Sequence, residues 1–231
     1  MNVASLSTEP TVAARFLFVP AKRGLQHGVP PRGAALGVPT PSPGNAQSMA
    51  GESRAHSFPL LTAAALALSA AGTLTRLAGT GVFDALRRDP SGLRRGQLWR
   101  LITPVLVQSD RSHVVVIEVF VLCAVVGAIG ERVFARPEWL APYLTGALVG
   151  HGIGEAFQPY QSGMSVAFAG ILGGLAAEAS RPGAPVPKVL RVEAALLIPL
   201  AIIDTALRDI HGAPLLGGFV VAYLWRELTP V

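Results

Sequence analysis

A chain of 231 residues that is 51% hydrophobic and only 14% charged, with a mean hydropathy of +0.47, carries too little charge to solvate a soluble domain of its size. Its single cysteine, Cys123, excludes an internal disulfide and a cysteine metal cluster. The net charge of +5 comes from arginines scattered between apolar runs, with no aromatic-interleaved basic stripe. That pattern argues against a nucleic-acid partner and for membrane lipids with anionic headgroups.

Residues 1–57 are rich in proline, glycine and serine and lack apolar periodicity, as in GVPPRGAALGVPTPSPGNAQS. Such a segment cannot repay the entropy of ordering itself, so it reads as a mobile tail ahead of a membrane domain over 58–231. Its opening stretch, with Arg15, Lys22 and Arg23 against Glu9, faintly resembles a targeting segment but lacks the apolar core of a secretory signal. Met49 is a second candidate start.

From Phe58 onward, apolar runs occupy 58–75, 113–130, 139–154, 161–177, 192–207 and 210–225. Each falls a little short of the roughly 20 residues that cross a bilayer, so flanking residues must extend them. The expected fold class is all-α, a polytopic membrane protein with a six-helix bundle. The long 76–112 connection mixes arginines with Trp99, Leu101 and Ile102, as an interfacial element does. Charge sets the orientation only narrowly, because 11 of the 19 Lys and Arg lie on the side of the tail.

Polar residues inside such spans are costly unless they face protein or a wet cavity. They are His113 and Glu118 in the second span, His151 in the third, Ser165 in the fourth, Asp204 in the fifth and His211 at the mouth of the sixth. Gly163, Ala167, Gly170, Gly173 and Gly174 give the fourth span a side with almost no bulk. Gly218 and Ala222, 7 and 11 residues after His211, give the sixth a matching stripe. If the two faces meet, Ser165 and His211 come within hydrogen-bond reach as a nucleophile and its general base. The bland reading, two satisfied packing residues, stays open from spacing alone. His151 reads as a packing residue or one bonded to a backbone group, and Asp204 as the partner of Arg208 one turn later. The histidines and acids form no compact ligand pair, so neither a metal nor a cofactor is expected.

Four segments, in order, carry a family resemblance. They are RGQLWRLITPVLVQ at 95–108, GERVFARPEWLAPYLTGALVG at 130–150, GMSVAFAGILGG at 163–174 and DIHGAPLLGG at 209–218. Together they make the chain resemble the rhomboid intramembrane serine proteases, in a divergent, bacterial-type form. The resemblance covers about residues 58–226. It implies a six-helix bundle, multi-pass in a bacterial plasma membrane, in which Ser165 and His211 form a catalytic dyad that cuts transmembrane protein substrates.

Several positions depart from the family pattern. Val166 stands where glycine usually follows the nucleophile and is expected to narrow the space beside Ser165. His113 matches the histidine of the second helix, but Ile117 stands where an asparagine would help hold the oxyanion, with Glu118 next. Gly163, His113 and Glu118 are therefore the candidate oxyanion or site-supporting residues, and Gly170, Gly174, Gly218 and Ala222 the helix-packing ones. Pro214 replaces a glycine three residues after His211 and is expected to bend the start of the last helix. These departures keep a second reading open, a non-catalytic relative that binds transmembrane helices as a scaffold or quality-control factor. A transporter is a more distant third, since the halves show no inverted repeat.

Overall fold

The computed structural model describes residues 58–76, 78–110, 112–184 and 186–229, and the expected tail at 1–57 lies outside them. Among the described residues six long helices carry the fold: α1 (Leu60–Leu74), α4 (His113–Val133), α5 (Arg136–Phe157), α6 (Ser165–Ser180), α7 (Lys188–Ala206) and α8 (Gly212–Leu228). Between α1 and α4, the short helices α2 (Val82–Leu86) and α3 (Pro90–Arg94) and the 3-10 turns Leu98–Leu101 and Thr103–Leu106 make up the connection. No strand occurs among the described residues.

Helix α6 lies at the centre, packed against α4, α5, α7 and α8. Its lack of bulk is what permits this. A Cβ added to Gly218 of α8 would strike the Gly170 carbonyl, and one added to Gly170 would strike the Pro142 carbonyl of α5. Gly174 sits beside Ala222 and Phe134. Backbones therefore touch along two faces of α6, which converts small residues into close van der Waals contact between helices.

Larger side chains fill the space between α4, α5 and α6. Trp139 stacks on Tyr143 with ring centroids 4.9 Å apart, and Phe168 meets both rings edge-on. The Trp139 indole donates to the Gly127 carbonyl of α4 at 3.2 Å. Glu131, near the end of α4, reaches the start of α1 and accepts from the Leu61 and Thr62 N–H groups and the Thr62 hydroxyl. A carboxylate thus satisfies otherwise orphaned N–H groups at the positive end of that helix.

The end of α6 remote from Ser165 is held by charge. Arg226 of α8 pairs with Glu138 of α5 and Glu178 of α6, while Arg181 pairs with Glu178 and Glu227. Helix α7 is peripheral, with Ala194 and Ala201 its buried residues and Val192, Leu196, Leu200, Ile202 and Ile203 exposed. Asp204 does not pair with Arg208, contrary to expectation, because the helix ends between them and Arg208 turns away at φ 64°.

By length and composition together, α4 is the described helix long and apolar enough to cross a membrane on its own. Its 21 residues rise about 32 Å, close to the hydrocarbon thickness.

Candidate functional site

Ser165 is the first residue of α6, and the segment ahead of it is tied down from the α1–α4 connection. Ser109 N–H donates to the Ser162 carbonyl at 3.1 Å, and the Ser162 N–H donates to the Ser109 hydroxyl at 2.9 Å. Arg88, fully buried, donates through Nε to the Gln161 carbonyl at 2.6 Å. Burial pushes its pKa down to about 10, partly opposed by the carboxylate of Glu155. Arg100 pins the same connection from within, donating to the Asp84 and Arg87 carbonyls.

His211 stands at the start of α8, and the turn that delivers it is specific. After α7 the Arg208 N–H donates to the Thr205 carbonyl and the Asp209 N–H to the Asp204 carbonyl. This is the paired closure of a Schellman motif, and Arg208 occupies the left-handed position that usually goes to glycine. Two residues later the chain re-enters a helix, with Pro214 in its first turn. There the missing N–H costs nothing, because the first helical N–H groups have no partner within the helix. The helix runs unbroken from Gly212 to Leu228, so the expected bend at Pro214 does not interrupt it.

The two helix starts meet at the same end of the bundle. Ser165 Oγ and His211 Nε2 lie 2.9 Å apart, across 46 residues of sequence. On its other side the ring engages Asp209, with Nδ1 2.8 Å from Oδ1, and the same oxygen accepts the His211 backbone N–H at 2.8 Å. The hydrogen bond to His211 holds the Asp209 carboxyl below the ordinary carboxylate range, more strongly than partial burial raises it. The His211 side chain is 45% exposed and Ser165 is half-buried, so the pair is reachable by water.

Helix α6 begins without a side-chain cap. Its first internal bonds run from the Ala167 and Phe168 N–H groups to the Met164 carbonyl. Among the described residues the Ser165 and Val166 N–H groups have no partner, so they stand at the positive end of the helix as donors for an anion.

Val166 does not crowd the serine as expected. It is buried and points toward α5, where a Cβ on Gly150 would meet the Val166 side chain and Pro214. Bulk gained at two positions is absorbed by a glycine opposite. His113 and Glu118 lie on exposed parts of α4 and make no side-chain hydrogen bond among the described residues. Gly163 is buried, and its Cα faces the Gln108 side-chain amide. Sequence reasoning overlooked Gln108 and Asp209. The only available signals were a glutamine at the end of the connection and an acid two residues before a helix-initiating histidine. His151 is buried, and neither ring nitrogen has a hydrogen-bond partner among the described residues.

A rhomboid-domain family model matches residues 95–227, more than half of the chain and both residues of the pair. The chain belongs to the rhomboid family. It is also similar to the Rhomboid-like protease 3 of Toxoplasma gondii, 35% identical over 86 residues, which are 36% of this chain and 32% of that protein. The match thus spans about a third of that relative's length. An all-α rhomboid-like fold, membrane association and a serine–histidine contact consistent with serine-protease chemistry stand together.

Proposed function

We propose that this rhomboid is an intramembrane serine endopeptidase that hydrolyses peptide bonds in or near the ends of transmembrane helices of membrane-protein substrates. The observation that carries this reading is the 2.9 Å approach of Ser165 Oγ to His211 Nε2 between the starts of α6 and α8. Six membrane crossings, by α1 and α4 to α8, are part of the proposal. It is supported by apolar side chains exposed on the five helices around α6, such as Leu68, Val121, Leu144, Leu200 and Val220, which would be a large unfavourable hydrophobic surface in water. A bacterial plasma membrane is the proposed setting.

In the proposed reaction, Ser165 Oγ attacks the substrate carbonyl carbon as its proton passes to His211 Nε2. The oxyanion forms against the free Ser165 and Val166 N–H groups at the uncapped start of α6. His211 then returns the proton to the leaving amine as the C–N bond breaks. Water, deprotonated by the same nitrogen, opens the acyl-enzyme, which releases the acid product and restores the serine hydroxyl. His113 begins α4 four residues beyond Ser109, which is bonded to Ser162. That position near the α6 start supports the proposed role of His113 beside the site. Glu118 is more than a turn further along, and no reaction step is assigned to it.

A non-catalytic, helix-binding scaffold is the second reading, favoured by the exposed Ile117 where an amide donor would stand. Loss of one oxyanion donor costs about 3 kcal/mol, which slows a protease without abolishing it. The deciding experiment is labelling of the detergent-solubilised protein with a fluorophosphonate probe. Wild-type labelling that is lost in both Ser165→Ala and His211→Ala, each still folded, supports the protease. No wild-type labelling, while another rhomboid reacts in parallel, supports the scaffold.

A further inference from the structure

We propose that Asp209 is a positioning residue for His211. Its carboxylate accepts the Nδ1–H of the ring and so fixes the tautomer whose bare Nε2 faces Ser165. The catalytic consequence rests on the protease reading above, whereas the hold on the ring does not.

An ionised carboxylate can only accept, and the contact between Asp209 Oδ1 and His211 Nδ1 is 2.8 Å, so the ring proton must lie on Nδ1. In a neutral imidazole the other nitrogen is then an acceptor. Nε2, 2.9 Å from Ser165 Oγ, must receive the serine O–H and is ready to take its proton. With the opposite tautomer, an Nε2–H would face the hydroxyl and no base would be present. The hydrogen bond that lowers the Asp209 pKa keeps the acid ionised and therefore an acceptor only.

The carboxylate is itself held in place. Oδ1 also accepts the His211 backbone N–H at 2.8 Å, which closes a turn of two residues. The Schellman closure from Asp209 N–H to the Asp204 carbonyl fixes the backbone that carries it. Among the described residues Asp209 has no ion-pair partner apart from His211, so its charge is not directed elsewhere. The chain thus supplies a third member to a pair that the family resemblance presents as a dyad. This third member is half-exposed, with 46% of its side chain accessible, so its effect should be smaller than that of a buried acid.

Two measurements on the full chain in detergent micelles test the proposal. Nitrogen-15 NMR of histidine-labelled protein, with His211→Gln used to assign the signal, reads the tautomer without any catalysis. The proton should sit on Nδ1 in the wild type and redistribute toward Nε2 in Asp209→Ala, which leaves Nδ1 no acceptor. The asparagine variant keeps an oxygen for the backbone N–H, so its thermal midpoint should match the wild type. Fluorophosphonate labelling should slow about tenfold to a hundredfold in Asp209→Asn, the loss expected for one charge-assisted hydrogen bond, and recover in part in Asp209→Glu. An unchanged tautomer in Asp209→Ala, or labelling of Asp209→Asn at the wild-type rate, would overturn the proposal. A wild type that takes no probe but shows the tautomer shift would sink the protease reading and leave the hold of Asp209 on the ring established.

Discussion

Replacing Gly218 by alanine is the sharpest test of how this fold makes its site. The new Cβ would lie 2.6 Å from the Gly170 Cα and 2.5 Å from its carbonyl carbon, whereas carbon atoms settle at about 3.5–4 Å. Both partners are backbone, so no side chain can swing aside and α8 must move off α6 by about 1 Å. Overpacking of this kind costs about 1–3 kcal/mol. The functional effect should be larger than the loss of stability. His211 sits seven residues up the same helix, and a 1 Å displacement there would stretch its 2.9 Å contact with Ser165 beyond a hydrogen bond. Misplacement on that scale costs about a hundredfold in rate. The assay is fluorophosphonate labelling alongside thermal unfolding, with Gly152→Ala as control, since a Cβ there meets nothing within 4 Å. Gly218→Ala that labels at the wild-type rate and unfolds at the wild-type temperature would refute the claim that backbone contact between α6 and α8 sets the pair's distance.

Three further outcomes are expected. Glu131→Ala strips the start of α1 of its charged acceptor and should cost about 2 kcal/mol, seen as a Tm lowered by about 4–8 °C. Arg208→Gly relieves a left-handed backbone at φ 64° and should gain about 1 kcal/mol, measured as a raised Tm with labelling unchanged. Gly163→Ala places a Cβ 2.8 Å from Gln108 Oε1, so labelling should slow. Adding Gln108→Ala in that background should restore part of the rate if the clash is the cause, which a double-mutant cycle measures.

Much of the helical layout is written in the chain itself. The apolar runs at 113–130 and 139–154 fall inside α4 and α5, which extend to Val133 and Phe157, because apolar content, turn residues and helix starts are local properties. The small-residue stripes are equally local, since residues four and seven apart share a helix face whatever surrounds them. Where such reasoning reached across a turn it failed. Asp204 and Arg208 are one turn apart only if the helix continues, and the left-handed backbone at Arg208 ends it. Val166 was expected to crowd Ser165, but neighbouring positions on a helix point in different directions, and the glycine that receives Val166 lies on α5.

The sequence alone determined which helix faces carry the small residues and that Ser165 and His211 stand at the starts of those faces, because side-chain type and helical period require no knowledge of the rest of the chain. Only the tertiary structure decided that α6 and α8 meet glycine to glycine and bring Ser165 to His211. It alone decided that the turn after α7 carries Asp209 to the far side of the ring. Those outcomes depend on which backbones can touch and on how a loop closes, and both are settled by packing between elements distant in sequence.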